Sequence, residues 1–170
     1  MGNVWEKFRP AYIFSAVWEI EPAFLREKGI EAIILDLDNT LLAKGAQNFP
    51  PQVLKWLRQI EEAGLRVCLV SNSGRRRVEG AAFSLGVPCV FRAAKPGRRP
   101  FIRALQILGT EPRQTAVIGD QLLTDVYGGK RLGMVTILVK PLPGKEFVGT
   151  RINRRLEKFI WRRLNRLEEG

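Results

Sequence analysis

Short apolar runs alternate with helical patterns from about residue 30 onward. The runs are "IEAIILDL", "LRVCLVSN", "VPCVFRA", "QTAVIGD" and "MVTILVKPL". They are continuously apolar rather than alternating, which is typical of strands covered on both faces. Helical spacing, with a glycine at each end point, marks the segments between them: "PPQVLKWLRQIEEAG", "RRRVEGAAFSLG", "RRPFIRALQILG" and "LTDVYGGKRLG". Because parallel strands need crossover connections, the pattern predicts an α/β domain, a Rossmann-like parallel sheet of about five strands with helices on both faces.

Two segments lie outside this alternation. Residues 1–30 contain a mixed aromatic stretch, and we expect an N-terminal extension that packs on the core. Residues 31–145 form the predicted sheet domain, and residues 146–170 a basic C-terminal helix, amphipathic over 151–167. The apolar side of that helix can pack on the domain and leave its arginines in solvent, or it can lie in a membrane interface. A chain of 170 residues otherwise suffices for one domain with a core.

The net charge of +11 is concentrated in two places. Residues 75–103 hold eight Arg and Lys against Glu79 alone, and residues 151–170 hold seven against three Glu. These segments therefore contribute +7 and +4, which leaves the rest of the chain neutral. A local positive field attracts polyanions: nucleic acid, an anionic membrane surface or a phosphorylated substrate.

The sequence also favours a cytoplasmic location. No run approaches the roughly 18 apolar residues that span a bilayer, and the N-terminus lacks the continuous apolar core of a secretory signal. Two cysteines, Cys68 and Cys89, lie inside apolar strand-like segments and do not make a disulfide framework. We expect both to be small buried residues.

Polar side chains with complementary chemistry follow the first four apolar runs. Ligands of open α/β sheets bind outside the carboxyl ends of the strands, so these side chains should share one crevice. In chain order they are Asp36 and Asp38, then Ser71 and Asn72, then Lys95, then Asp120 and Asp125. Four converging carboxylates repel one another unless a cation is present. With oxygen ligands and no histidine in the chain, that cation is expected to be Mg²⁺.

The order of these motifs resembles the haloacid dehalogenase (HAD) superfamily of aspartyl-phosphate phosphatases. The resemblance covers residues 33 to about 140, and all four motifs occur in order. Singly, each residue has a structural alternative, such as a helix cap for Asp38 or Asp125 and a loop position for Ser71. Independent caps have no reason to follow this order, so we prefer the chemical interpretation.

The resemblance implies a role for each residue. Asp36 would be the nucleophile, and Asp38 would protonate the leaving oxygen and then activate water. The phosphoryl oxygens would be held by Ser71, Asn72 and Lys95. The implied Mg²⁺ ligands are Asp36, the Asp38 backbone carbonyl and Asp120, with Asp125 as a ligand or its partner.

The spacing of the motifs leaves no room for a cap domain. One helix separates Asp38 from the next strand, and about 20 residues separate Ser73 from Lys95. An open site favours a macromolecular or membrane-presented phosphate. The stretches "KFRPAYIFSAVWEI", "GDQLLTDVYGGKRLG" and "GTRINRRLE" are similar to the YqeG-like subgroup, subfamily IIIA, which is related to mitochondrial phosphatidylglycerophosphate phosphatase. This implies hydrolysis of phosphatidylglycerophosphate or another anionic phosphomonoester.

Two other functions stay open at this point. One is a phosphatase that acts on nucleic-acid ends or soluble phosphomonoesters, and the other is a non-catalytic RNA- or ribosome-binding module on the same fold. In the membrane interpretation, the peripheral contacts would be Arg75–Arg77, Arg98, Arg99 and the 151–167 helix. A pure binder would have no chemical need for the complete catalytic set, which argues against the second alternative.

Overall fold

The computed structural model describes residues 4–143 and 148–165, and, within the last helix, the side chains of residues 155–164. A six-stranded, entirely parallel sheet forms its centre, in the order β1-β6-β5-β2-β3-β4. The strands are β1 Tyr12–Phe14, β2 Ala32–Leu35, β3 Arg66–Val70, β4 Cys89–Val90, β5 Thr115–Gly119 and β6 Val135–Val139. The five predicted strands are thus confirmed, and β2 lies between β5 and β3 near the middle of the sheet.

Helices cover both faces of the sheet, as the continuous apolar strands predicted. They are α1 Pro22–Glu27, α2 Pro51–Glu62, α3 Arg75–Leu85, α4 Arg98–Leu108, α5 Tyr127–Lys130 and α6 Val148–Asn165. Alternate residues of β2 point to opposite sides: Ile33 and Leu35 join the cluster under α2 and α3, while Ala32 and Ile34 join the cluster under α4. All four are buried, so β2 is fixed from both sides.

The sixth strand, β1, comes from the N-terminal 30 residues and was not predicted. It pairs with β6, with Tyr12 opposite Ile137. The same segment is tied to α2, where the indole nitrogen of Trp56 donates to the Ile20 carbonyl at 2.8 Å. A three-residue edge strand has too little hydrophobic pattern to stand out in a sequence. The division of the chain at residues 30 and 145 stays a prediction.

The segment "LTDVYGGKRLG" differs from the single α-helix that its pattern predicted. It begins with a π-helical turn, Leu122–Val126, and continues as the short helix α5. Two glycines bring α5 close to its neighbours: a Cβ at Gly128 would lie 2.4 Å from Phe101, and one at Gly129 would lie 2.9 Å from Thr136. This close packing leaves the preceding turn, which holds Asp125, directly after β5.

The C-terminal helix α6 packs on the domain. Ile160 and Leu164 are buried in a cluster with Leu122 and Val126, whereas Leu156 and Phe159 are partly exposed. Part of the predicted apolar side therefore faces the core, and part does not. Arg166 and Leu167 of the predicted 151–167 helix lie outside the described residues. Within the described residues, no helix is both long enough and apolar enough to cross a bilayer.

Candidate active site

Three of the predicted carboxylates meet at the carboxyl edge of the sheet. Asp36 directly follows β2, Asp120 follows β5, and Asp125 lies in the π-helical turn. One oxygen from each lies within 4.8 Å of the others, and all three side chains are buried. The register places Leu35 of β2 opposite Ile118 of β5, which brings the two strand ends together.

Lys95 is the buried cation of this group. Its side chain is 2% exposed, and its Nζ donates to Asp36 Oδ1 at 2.7 Å and to Asp125 Oδ1 at 2.6 Å. Burial on its own would lower the pKa of Lys95, but the charges of Asp125 and Asp36 outweigh burial and raise that pKa above its ordinary value. The ammonium is therefore charged over the range in which proteins are stable.

Asp36 has an unusually high proton affinity for an aspartate. Burial raises its pKa from 3.8 to about 6; the nearby Lys95 opposes this shift, and Asp125 adds to it. The Thr40 hydroxyl lies between Asp36 Oδ2, at 3.3 Å, and Asp120 Oδ1, at 3.4 Å. A metal-free site thus holds the nucleophile candidate at a free-energy cost that a bound cation would offset.

The donor set fits Mg²⁺. It offers carboxylate oxygens from Asp36, Asp120 and Asp125, and the chain contains no histidine. Lys95 is the one buried basic side chain among the residues that the structure describes, so three carboxylates face one ammonium. Hard divalent cations prefer such oxygen ligands, and the excess of negative charge is of the sign that they neutralise.

Asp38 has a different environment from the other three aspartates. Arg77 binds its Oδ1 through Nε at 2.7 Å and through Nη2 at 2.6 Å, and Ser73 donates a hydrogen bond to its Oδ2. Arg77 also donates to the Ala46 carbonyl at 3.3 Å. The Asp38 carboxylate is therefore oriented by α3 and the loop after β2, and it is not part of the three-carboxylate cluster. A contribution of its backbone carbonyl to a metal site stays a prediction.

Ser71, Asn72 and Lys95 line one small pocket with Asp36 and Asp38, with a volume of about 60 Å³. Asn72 brackets the backbone of Lys95: its Oδ1 accepts from the Lys95 N–H at 2.7 Å, and its Nδ2 donates to the Lys95 carbonyl at 3.3 Å. The Ser71 hydroxyl oxygen accepts from the Ser73 N–H at 3.2 Å. All seven predicted site residues are thus either in this pocket or in the adjacent carboxylate cluster.

The turn that holds Asp125 depends on two residues that sequence reasoning missed. Gly119 leaves space for the Asp125 carboxyl group, since a Cβ there would lie 2.3 Å from it. Glu157 of α6 is 8% exposed, and its Oε1 accepts from the Leu122 N–H at 2.7 Å. A glycine immediately before an aspartate after a strand was a readable signal, whereas nothing in the sequence connects Glu157 with a turn 35 residues earlier.

The chain is similar in sequence to known phosphatases. A family model described as "HAD-hyrolase-like" matches residues 92–141. The protein named "Probable phosphatase YqeG" of Bacillus subtilis is 39% identical over 159 residues, which is 94% of this chain and 92% of that protein. "Phosphatidylglycerophosphate phosphatase 1, chloroplastic" of Chlamydomonas reinhardtii is 33% identical over 146 residues, 79% of this chain but only 54% of the longer protein.

The fold is also similar to that of solved structures. The cobalt-bound deoxy-D-mannose-octulosonate 8-phosphate phosphatase of Haemophilus influenzae superposes with a TM-score of 0.52 at 14% identity, over 79% of this chain and 89% of that one. At this identity the likeness concerns the fold alone. Residues 39–94 of the present chain contain no inserted cap domain between the predicted motifs, as their spacing indicated.

Proposed function

Since the chain belongs to the HAD superfamily and is a phosphatase, we propose that it is a magnesium-dependent phosphomonoester hydrolase that works through an aspartyl-phosphate on Asp36. The observation that carries this proposal is the contact of the Lys95 ammonium with both Asp36 and Asp125, beside Asp120 and next to the pocket that Asp38 lines. A nucleophile candidate, a charge-neutralising lysine and a separate acid/base candidate thereby meet at the carboxyl edge of the sheet.

In the proposed reaction an Asp36 carboxylate oxygen forms a bond to phosphorus as the bond from phosphorus to the leaving oxygen breaks. Asp38 gives a proton to that leaving oxygen and later takes one from the water that hydrolyses the aspartyl-phosphate. Ser71 and Lys95 hold the non-bridging oxygens, where negative charge develops. Bound Mg²⁺, held by Asp36, Asp120 and Asp125, would neutralise charge on the phosphoryl group and the carboxylates.

The separate environments of the two aspartates suit these two roles. Asp36 is fixed by Lys95 inside the cluster, where an attacking oxygen must be rigid. Asp38 is held from outside the cluster by Ser73 and Arg77, on the side of the pocket where a leaving group would depart. Asp36 and Asp38 thus line the same pocket but have different hydrogen-bond partners, as two groups with different chemical roles require.

We further propose that the substrate is a phospholipid headgroup such as phosphatidylglycerophosphate, reached by peripheral contact with an anionic membrane. The site has no cap, and Arg75–Arg77 lie at the start of α3 beside it, with Arg98 and Arg99 exposed at the start of α4. Basic residues near an anionic surface each contribute about 1 kcal/mol. The similarity to an algal phosphatidylglycerophosphate phosphatase supports the same substrate.

Phosphate release from a substrate panel tests this function. The panel contains para-nitrophenyl phosphate, an oligonucleotide with a terminal phosphate, and phosphatidylglycerophosphate in mixed micelles, each with Mg²⁺ or with EDTA. We expect Asp36→Asn to lose activity by about a thousandfold or more. Glu61→Gln makes the same acid-to-amide change on the exposed side of α2 and should be fully active. Equal activity of wild type and Asp36→Asn would contradict the mechanism, and a preference for the oligonucleotide would contradict the lipid substrate.

Cosedimentation with phosphatidylglycerol vesicles tests the membrane contact. Removal of α6 is unsuitable, because Ile160 and Leu164 belong to the folded core. The double variant Arg98→Gln/Arg99→Gln should bind vesicles more weakly than wild type, and the loss should disappear at high salt. Lys55→Gln, an exposed change on α2, serves as the control. Equal binding by wild type and the double variant would remove these two arginines from the contact.

A further inference from the structure

A large open groove lies beside the small proposed catalytic pocket, between the loop after β2 and helix α3. Its volume is about 1130 Å³, against about 60 Å³ for the pocket itself. The residues that line it include Leu42, Phe49, Arg75, Arg76, Arg77 and Arg92. We call it the α3 groove. A pocket of the smaller volume can hold a phosphoryl group but not the rest of a substrate, which must therefore lie outside it.

One side chain connects the α3 groove with the proposed catalytic pocket. Arg77 lines the groove, and its guanidinium group contacts Asp38, which lines the pocket. A group that contacts Arg77 in the groove would thus share this arginine with the proposed acid/base, Asp38. The groove is on the side of Asp38, toward which the leaving group of the proposed reaction would depart.

The charge in the groove is suited to a second anion. Arg77 is paired with Asp38, and Arg75 with Glu79 at 2.8 Å. Arg76 and Arg92 are exposed, and among the described residues neither has a carboxylate within ion-pair distance. Arginine is well suited to phosphate because its planar donors can bind two oxygens at once. The start of α3 adds to this field, since its N-cap is Gly74, which has no side chain to cap the first N–H groups.

The backbone conformation of Arg92 is also unusual for a non-glycine residue. Its φ angle of 45° lies in the left-handed region, which a non-glycine residue adopts at a cost. The Arg92 N–H donates to the carbonyl of Ser73 at 3.0 Å, and the hydroxyl of the same serine donates to Asp38. The chain thus places an arginine, rather than a glycine, in a strained conformation at the groove.

The apolar part of the surroundings favours a lipid as the source of the second anion. Leu42 and Phe49 contribute an apolar wall to the groove. Phe83, on the outer face of α3 one residue before the groove-lining Ser84, is 90% exposed. A large aromatic side chain this exposed, on a helix whose first turn is three arginines, matches a surface that is anionic at the headgroups and apolar beneath them.

We propose that the α3 groove binds a second phosphate of the substrate, the phosphodiester of a phospholipid headgroup, mainly through Arg76 and Arg92. The assignment rests on the proposed phosphatase function and adds its specificity determinant. It makes the preferred substrate a molecule with two phosphate groups: a monoester that enters the pocket and a diester that stays in the groove.

The test compares the full-length double variant Arg76→Gln/Arg92→Gln with wild type on two substrates. One is monomeric dihexanoyl phosphatidylglycerophosphate, with two phosphates, and the other is para-nitrophenyl phosphate, with one. We expect kcat/KM for the lipid to fall at least about tenfold further than kcat/KM for para-nitrophenyl phosphate. The variant loses charged hydrogen bonds to the phosphodiester of the lipid, and para-nitrophenyl phosphate has no phosphodiester. The matched control, Arg58→Gln/Arg113→Gln, removes two exposed arginines outside the groove and should behave as wild type. Equal losses on both substrates, or none on either, would overturn the proposal.

Two further experiments distinguish a lipid from a soluble molecule as the source of the second phosphate. Propanediol bisphosphate has two phosphates and no acyl chain, and it should be a poorer substrate than the short-chain lipid. Phe83→Ser should slow turnover of vesicle-borne lipid more than turnover of the monomeric lipid. If the bisphosphate is the better substrate and Phe83→Ser has no effect on vesicles, a soluble ligand replaces the lipid.

A binding measurement keeps this proposal distinct from the proposed function. Dihexanoyl phosphatidylglycerol has the phosphodiester but no monoester, so its binding does not require catalysis. Calorimetric titration should show binding to wild type and to Asp36→Asn, and at least about tenfold weaker binding to Arg76→Gln/Arg92→Gln. Binding without any phosphatase activity would overturn the function but not the groove, whereas activity without groove-dependent binding would overturn the groove alone.

Discussion

Replacement of Asp36 by asparagine should stabilise the metal-free protein while it abolishes activity. The Asp36 carboxyl group is buried, and its pKa is raised from 3.8 to about 6, mainly by burial. An aspartate with a raised pKa binds its proton more tightly in the folded state than in the unfolded state. The contribution of Asp36 to folding stability therefore falls as the pH rises from about 4 to about 6 and is lowest above that range. Asparagine, which cannot ionise, avoids this loss.

The size of the effect follows from the pKa difference. A shift of one unit corresponds to about 1.4 kcal/mol, so the change from 3.8 to about 6 gives about 3 kcal/mol at neutral pH. The ion pair with Lys95 opposes the shift, and the pKa of about 6 already includes its effect. We expect the metal-free Asp36→Asn variant to be more stable than wild type by about 1–3 kcal/mol at pH 8, and by almost nothing near pH 4.

Urea unfolding in EDTA at several pH values measures this difference directly. Glu61→Gln, an acid-to-amide change at an exposed position, should show no comparable gain. Mg²⁺ at a thousand times its Kd for wild type should then reverse the order, because a ligand at that concentration stabilises the protein that binds it by about 4.1 kcal/mol. An Asp36→Asn variant that is less stable than wild type in EDTA at pH 8 would refute the argument that burial dominates at this site.

Substitutions at Lys95, Gly119 and Glu157 test the parts that support the site, and Gly80→Ala serves as a control. Lys95→Met should lower kcat by about a hundredfold or more in the phosphate-release assay, because it removes the buried ammonium from the carboxylates. Gly119→Ala should weaken Mg²⁺ binding in a calorimetric titration, because its Cβ would displace Asp125. At Gly80 a Cβ would have no other atom within 4 Å, so Gly80→Ala should stabilise α3 by about 0.5–1 kcal/mol in urea unfolding. Glu157→Ala should cost about 1–3 kcal/mol in the same urea assay by leaving a buried N–H without its acceptor, and Glu157→Gln less. Unchanged values for Lys95→Met, Gly119→Ala or Glu157→Ala would contradict the role given to that residue.

The convergence of the candidate site residues could be predicted because strand ends are local features of a sequence. Asp36, Ser71 and Asp120 each follow the last residue of a buried strand, and parallel strands bring those ends to one edge. Continuous apolar runs identified the strands, and chain order supplied the motifs. The sequence could therefore assign which polar groups would meet, although not the contacts between them.

The remaining contacts depend on tertiary packing that no local pattern reports. Arg77 was predicted only as part of a basic surface, but its guanidinium group reaches 39 residues back along the chain to Asp38. Glu157 was counted among the charges of an amphipathic helix, although it is buried against Leu122. Helical periodicity specifies which residues share a face, but the neighbour that each face contacts is set by the fold as a whole. The contacts of long polar side chains are therefore the part of the structure that the sequence predicts least well.

The absence of a cap and the position of Arg77 have a common physical consequence. A cap excludes water and positions the leaving group, and the present chain has no inserted domain in residues 39–94 to do either. Arg77 is held at the boundary between the catalytic pocket and the α3 groove by Asp38 and by the Ala46 carbonyl. A substrate that fills the groove would cover this boundary with its own atoms, and so would supply from its leaving group the enclosure that other phosphatases obtain from a domain. The phosphoryl group is common to every substrate, so we expect the rate of hydrolysis by this chain to depend steeply on the size and charge of the leaving group.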